Sequence, residues 1–347
     1  MPLTVDDLPT CGEALLTAAK STEPGTARWL QRAWHRGEVV RVAPGVYMET
    51  LRWAELPPWG RHVTTAAALA RARRRPPVFT GLTAALLMGL PVAHTPAEVT
   101  IRRDDGHRGR ARNSGLFAGD QAHRRVQAPL GRPPRVRPTS AHPPLMSDPV
   151  WLTARTLGGL ELGTVLVDPP ETVALTLAAC LPPKWALAPL DALMHRRPDL
   201  REPVEGGAAD LLPSASAERR FLRTWDLVEP ASESAGESLS RALMWEAGIS
   251  RPQVQREHHG PRGEFLGRTD FWWEEVGIAG EFDGAGKYGL QLHGSEAERR
   301  RSIRREQDRE VRLRRHLRDV VHWTWRELSS PQSLAAVLVP RGVPLAR

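Results

Sequence analysis

The stretch Gly267–Gly284, GRTDFWWEEVGIAGEFDG, decides how this chain is read. Two runs of bulky residues flank a turn at Gly277, which reads as a pair of strands returning on each other. Along a strand, side chains alternate between faces, so Glu281 and Asp283 share one face while Gly280 and Phe282 take the other. An antiparallel partner brings Asp270 opposite that acidic pair. Three carboxylates converging inside one fold repel each other unless a cation occupies the gap. Oxygen-only ligands favour Mg²⁺ (or Mn²⁺) over zinc, and such an ion can orient water against a phosphodiester. Asp270, Glu281 and Asp283 are therefore the candidate metal ligands. Lys287, beyond two glycines, can reach back to steady a phosphate or a hydroxide.

Upstream, Gln253–Glu257 reads as a strand and Glu237–Ala247 as a helix burying Leu239, Ala242 and Leu243. Ser234 and Glu237 have the spacing of a capping box, and residues 231–236, ASESAG, have the composition of a hinge. Downstream, residues 295–318 form one Arg-rich helix with ten arginines against five acidic residues. A strand through Val320, Val321, Trp323 and Trp325 follows. The order is helix, strand, hairpin, helix, strand, a compact α/β domain over residues 232–330 with a tail at 331–347. Plainer readings stand beside these. Glu237 can be a capping acid only, Asp270 and Glu281 wet strand residues, Asp283 with Gly284 a turn, and the arginines a solvated face.

Residues 1–60 read as helix (Gly12–Ala19), helix (Ala27–Arg36), then a hairpin turning at Pro44-Gly45. That is the order of a winged helix-turn-helix. The second helix offers Arg28, Gln31, Arg32 and His35 to a DNA groove, and Arg41 decorates the wing. In the C-terminal helix, Arg304, Arg305 and Arg309 are the matching phosphate contacts. Residues 61–231 form a mixed α/β middle domain. It holds a helix over Thr64–Arg73, a helix capped by Thr80, strands at Glu98–Arg102 and Thr164–Val167, and a helix after Asp168. Between them, residues 129–149 carry seven prolines and read as linker or surface loop.

The chain has 347 residues and a formal charge of +8, with only Lys20, Lys184 and Lys287 as lysines. A positive, Arg-dominated surface favours a polyanion such as nucleic acid. No apolar run reaches the roughly 18 residues of a membrane span, and the N-terminus lacks a secretory pattern, so a cytoplasmic protein is expected. Cys11 and Cys180 have no metal or disulfide spacing and read as small core residues.

On SAGESLSRALMWEAGI, GRTDFWWEEVGIAGEFDGAGKYG and EQDREVRLRRHLRDVVHWTWREL, residues 234–328 resemble the restriction-endonuclease-like PD-(D/E)xK superfamily. The resemblance is strongest to its very-short-patch-repair-like branch. It implies catalytic roles for Glu237, Asp270 and Glu281 and Mg-dependent cleavage of DNA. Where superfamily nucleases usually carry Lys after the second acid, this chain has Asp283, and Gln307 stands where related proteins tend to have Lys. On WLQRAWHRGEVVRVAPGVYM and FTGLTAALLMGLP, the N-terminal part is similar to the antitoxin of AbiE type IV toxin–antitoxin systems. That resemblance implies a cognate toxin protein as partner. Two functions follow as expectations, an Mg-dependent DNA endonuclease or a non-catalytic DNA-binding regulator retaining the nuclease fold. Oligomeric state is not written in the sequence.

Overall fold

The computed structural model describes residues 14–17, 25–103, 117–119, 121–122, 125–126, 130–155, 159, 161–284 and 296–346. It mixes helix and sheet throughout and divides into two compact units. The first comprises Met1–Cys180 and Leu200–Phe221, the second Leu181–Asp199 and Leu222–Arg347.

The first unit opens with β1 (Leu16–Thr17), α1 (Thr26–His35), β2 (Val39–Ala43) and β3 (Val46–Glu49). The strands form one antiparallel sheet in the order β1-β3-β2. A helix was expected over Gly12–Ala19, but Leu16 and Thr17 are extended and pair with Tyr47 and Val46. Apolar Leu15 and Leu16 look helical in isolation, and the open edge of the hairpin recruits them into the sheet instead. In α1, Trp29, Leu30 and Ala33 bury against Val39, which leaves Arg28, Gln31, Arg32 and His35 exposed. Gly37, at φ +73°, ends the turn, and a side chain there would collide with the Ala122 backbone. Arg41 stands on the β2–β3 hairpin, as expected. It lies half-buried in β2, its backbone N–H donating to Phe117 O at 2.7 Å.

Next come α2 (Thr50–Glu55), α3 (Pro58–Ala72), β4 (Val78–Phe79), α4 (Gly81–Leu87), β5 (Glu98–Arg102), β6 (Arg135–Thr139), β7 (Val150–Arg155) and β8 (Glu161–Val167). Their strands make a sheet in the order β6-β5-β4-β8-β7. The proline-rich segment expected as loop therefore contains β6, parallel to β5 and at the edge, where a missing N–H is tolerated. Thr80 precedes α4 but does not cap it. Its hydroxyl donates to Asp168 at 2.6 Å, and Arg102 grips the same buried carboxylate with two bonds of 2.7 Å. α5 (Pro170–Cys180) then ends on Cys180, which is exposed rather than in the core. Cys11 lies outside the described residues.

α6 (Pro183–Arg196) belongs to the second unit, α7 (Arg201–Leu211) to the first, and α8 (Ala215–Asp226) follows. The second unit continues with α9 (Ala235–Glu246), β9 (Gln253–His259), β10 (Phe265–Trp273), β11 (Ile278–Phe282), α10 (Glu296–His316), β12 (Asp319–Trp323) and α11 (Pro331–Leu338). The order helix, strand, hairpin, helix, strand stands as read. The sheet runs β12-β11-β10-β9, antiparallel except for the parallel pair β11 and β12. Leu266, Ala279 and Val320 pack with Leu313 of α10 on one face. On the other, the rings of Trp273 and Trp323 close over Gly280, and the Trp323 indole N–H donates to Ser240 of α9 at 2.8 Å.

The boundary expected near residue 232 falls inside this unit. α6 lies against α9, and buried Asp191 accepts from Arg241 Nη1 and from the Ser238 hydroxyl, each at 2.7 Å. The segment expected as a tail is likewise packed as far as residue 346, since Leu334 and Leu338 are buried and Ala346 N–H donates to Gly248 O. Among the described residues, no helix is long and apolar enough to cross a membrane.

Candidate functional site

The site forms where α9 begins, along β10 and at the end of β11, and beneath α10. Ser234 caps α9: its Oγ accepts from Glu237 N–H at 3.2 Å and donates back to Glu237 Oε1 at 2.7 Å. The other oxygen, Oε2, accepts from Glu233 N–H at 2.9 Å and from Gln255 Nε2 at 2.8 Å. The capping role proposed for Glu237 is thus real, and the same buried carboxylate also walls the cleft. Gly236 permits this approach, because a side chain there would run into the Phe282 ring.

β10 carries Asp270 to the same place. Its Oδ2 accepts from the Phe282 N–H at 2.9 Å, and Oδ1 lies 3.5 Å from Gln255 Nε2. Gln255 thus spans Glu237 and Asp270, a role that sequence reading missed. Among the described residues it is the one non-glycine residue with positive φ, +52°, a conformation that is strained for a side chain of this kind. That twist sits at the cleft, where strain of this sort tends to aim a side chain.

Glu281 is all but fully buried and faces α10. Arg309 holds both of its oxygens, Nη1 to Oε1 at 2.8 Å and Nη2 to Oε2 at 2.7 Å, and also donates to Arg268 O at 3.0 Å. Asp283 shares the side of Glu281, as strand alternation predicted, but its Oδ2 sits 3.0 Å from His322 Nδ1. His322, another residue missed from sequence, is the register partner of Glu281 in β12. The bond to Asp283 raises its pKa against the opposing effect of burial, helped by the charges of Glu281, Asp283 and Glu310.

Glu237, Asp270 and Glu281 come from three elements and line one cavity of about 680 Å³, together with Arg268, Arg309 and Trp325. The expected cluster of Asp270, Glu281 and Asp283 does not converge on one point. Each carboxylate has its own protein partner: backbone and amide donors for Asp270, a guanidinium for Glu281, an imidazole for Asp283. Among the described residues, no group of three or more acidic, His or Cys side chains is placed to hold a metal ion. The donor set has the right chemistry for Mg²⁺, but with Glu281 neutralised by Arg309 the arrangement does not fit one. Lys287 lies outside the described residues.

Arg304 and Arg305 stand exposed on α10, as do Arg28, Gln31 and Arg32 on α1. Arg309, grouped with the phosphate contacts from sequence, instead turns inward to Glu281, because a buried carboxylate is the stronger partner for its fork.

No family model matches the chain, and no solved structure matches it. It is similar to two curated relatives of Mycobacterium tuberculosis, the uncharacterized proteins MT2308 (strain CDC 1551 / Oshkosh) and Rv2248 (strain H37Rv). Each is 29% identical over 136 residues, which cover 38% of this chain and 46% of the relative. The chain thus spans about half the length of the curated relatives it matches.

Proposed function

We propose that this is a DNA-binding protein whose C-terminal unit keeps a nuclease-type scaffold and uses it, in this arrangement, to hold DNA without cutting it. The observation that carries the reading is the closure of Arg309 on both oxygens of Glu281. A carboxylate so engaged is not available to a metal, and its charge is already balanced. Asp283, in the position where the resembling nucleases carry a water-activating lysine, is held by His322 instead. For the DNA, support comes from the exposed arginines Arg304 and Arg305 on α10 and from the exposed polar face of α1. Phosphate contacts from such side chains position a protein on DNA and make its affinity fall with salt. The cytoplasm is the compartment that goes with this reading.

A second reading, an Mg-dependent endonuclease, is favoured by one observation: Glu237, Asp270 and Glu281 line the same cavity. Asp270 and Glu281 would be the residues to hold the ion once Arg309 had left Glu281, and the ion would supply charge stabilisation on a phosphodiester. A single experiment separates the two. Fluorescence anisotropy measures affinity for duplex DNA with EDTA and with Mg²⁺, alongside a plasmid-nicking assay. We expect equal affinity in both buffers and no nicking. Mg-dependent nicking that D270A abolishes would establish the endonuclease, and absence of any DNA affinity would overturn both.

A further inference from the structure

A second cavity, of about 550 Å³, lies wholly within the first unit, between the end of α3 and the β7–β8 hairpin. Its wall carries Arg71, Arg73 and Arg74 on one side and Trp151 and Thr153 of β7 on the other. Trp151 is 57% exposed, an unusual placement for so large an apolar ring, and β7 is the outer strand of its sheet. The Arg71 guanidinium lies over Gly163 of β8. Glu161 is the one acid among the lining residues described, and Arg155 already pairs with it at 2.7 Å. Arg73 and Arg74 therefore give the cavity a positive wall, with a flat aromatic surface at its rim.

We propose that this cavity binds a single-stranded nucleic acid segment, one base stacking on Trp151 while Arg73 and Arg74 take the adjoining phosphates. The size fits one nucleotide. A duplex keeps its bases stacked on one another and offers no ring face to Trp151, whereas a single strand does. Arginine supplies both the phosphate fork and a cation that tolerates a stacked ring nearby. Arg75 extends the positive run beyond the cavity, matching a strand of several phosphates better than a lone nucleotide. The proposal does not depend on how the cleft of the second unit is read.

The test uses the full-length protein and short fluorescein-labelled oligothymidylate and oligouridylate, with anisotropy as readout and a hairpin duplex as reference. Wild type is expected to bind at least one single strand with salt-dependent affinity. W151A should weaken that binding roughly 5- to 100-fold, the loss of one base–aromatic stack, while W151F keeps most of it. R73A/R74A should weaken it and flatten the salt slope by up to about 1.4. Affinity for the duplex should be unmoved by W151A and lowered by R304A/R305A, so failure here is distinguishable from failure of DNA binding by α10. Preference between the two oligonucleotides tells DNA from RNA. No single-strand binding by wild type, equal affinity of W151A, or equal binding of polyglutamate would overturn the proposal. So would W151A changing only self-association in sedimentation, which would make Trp151 a contact between copies.

Discussion

Arg309 and Glu281 meet as a parallel two-pronged ion pair, with contacts of 2.8 and 2.7 Å, across the space between α10 and the sheet. Breaking a buried pair from one side leaves a charge uncompensated, at about 3–5 kcal/mol. We predict that R309M destabilises the second unit by about 3 kcal/mol, the lower end because Arg309 keeps some contact with water. The double variant R309M/E281M should recover most of that loss. Denaturant unfolding of wild type, R309M, E281M and the double variant gives the coupling, and a coupling near zero would remove Arg309 as the counter-charge of Glu281.

The same pair governs the response to metal. In wild type, Mn²⁺ should leave the melting temperature unchanged, since Arg309 engages both oxygens of Glu281. In R309M, Glu281 is released beside Asp270, and Mn²⁺ should then raise the melting temperature, as any ligand that binds only the folded form must. D270A placed on R309M should erase the rise. A wild type already stabilised by Mn²⁺ through Asp270 would instead favour the endonuclease.

Burial drives the pKa of His62 down to about 4. The ring is held by Pro96 O at 3.1 Å and Thr83 Oγ1 at 3.0 Å. A depressed folded pKa means the fold accommodates the neutral ring, so its contribution is complete above the ordinary value of about 6.5 and lost as pH falls through about 4. We predict an acid-linked loss on the order of 3 kcal/mol in the first unit over that interval. H62Q should be less stable at neutral pH yet lose less on acidification. Urea melts across the interval with equal slopes in both proteins would relieve His62 of the role.

Asp191 accepts from Arg241, from Ser238 and from the Glu229 N–H at 2.8 Å, tying α6 to α9. D191A should cost about 3–5 kcal/mol by stranding the Arg241 guanidinium. A fragment starting at residue 232 should suffer the same exposure and unfold without cooperativity, whereas one starting at 181 should melt sharply. Cooperative unfolding of the shorter fragment would detach α6 from this core.

At Gly236 a β-carbon would lie 1.9 Å from the Phe282 ring. G236A should therefore cost about 1–3 kcal/mol through overpacking. G236A/F282L should regain part of it, and additive losses in the pair would show that the contact is not the cause.

Much of the second unit was legible because its rules are local. Alternation placed Glu281 with Asp283, Gly277 marked the turn, and Ser234 with Glu237 announced the start of α9. The partners of those acids were not legible. Nothing along the Arg-rich helix distinguishes Arg309 from its neighbours until the helix docks. Gln255 and His322 matter through the strands opposite them, which only pairing reveals. In the first unit, β6 was hidden by Pro138 and the prolines on either side of the strand, which local rules exclude from sheets and an edge position admits. Leu16 and Thr17 carry no strand signal of their own and become extended because β3 offers them an edge. The affiliation of α6 rests on the Asp191–Arg241 pair, formed between residues far apart in the chain.

The parallel pairing of β11 with β12 has a consequence for the order of folding. The two strands are hydrogen-bonded neighbours, yet the whole of α10 and its connections must be threaded between them. The hairpin of β10 and β11 closes over a short turn, while β12 can dock only after the much longer crossover has been ordered, with its greater entropic cost. We therefore expect β12 to join last, and pulse-labelled hydrogen exchange should find the Val320 and Val321 amides protected after those of β10. Arg309 and His322 ride on that late segment. The acids of the cleft would accordingly spend the early stages of folding without their counter-charges, so low salt should slow the first step, where like charges gather, and speed the last, where opposite charges meet.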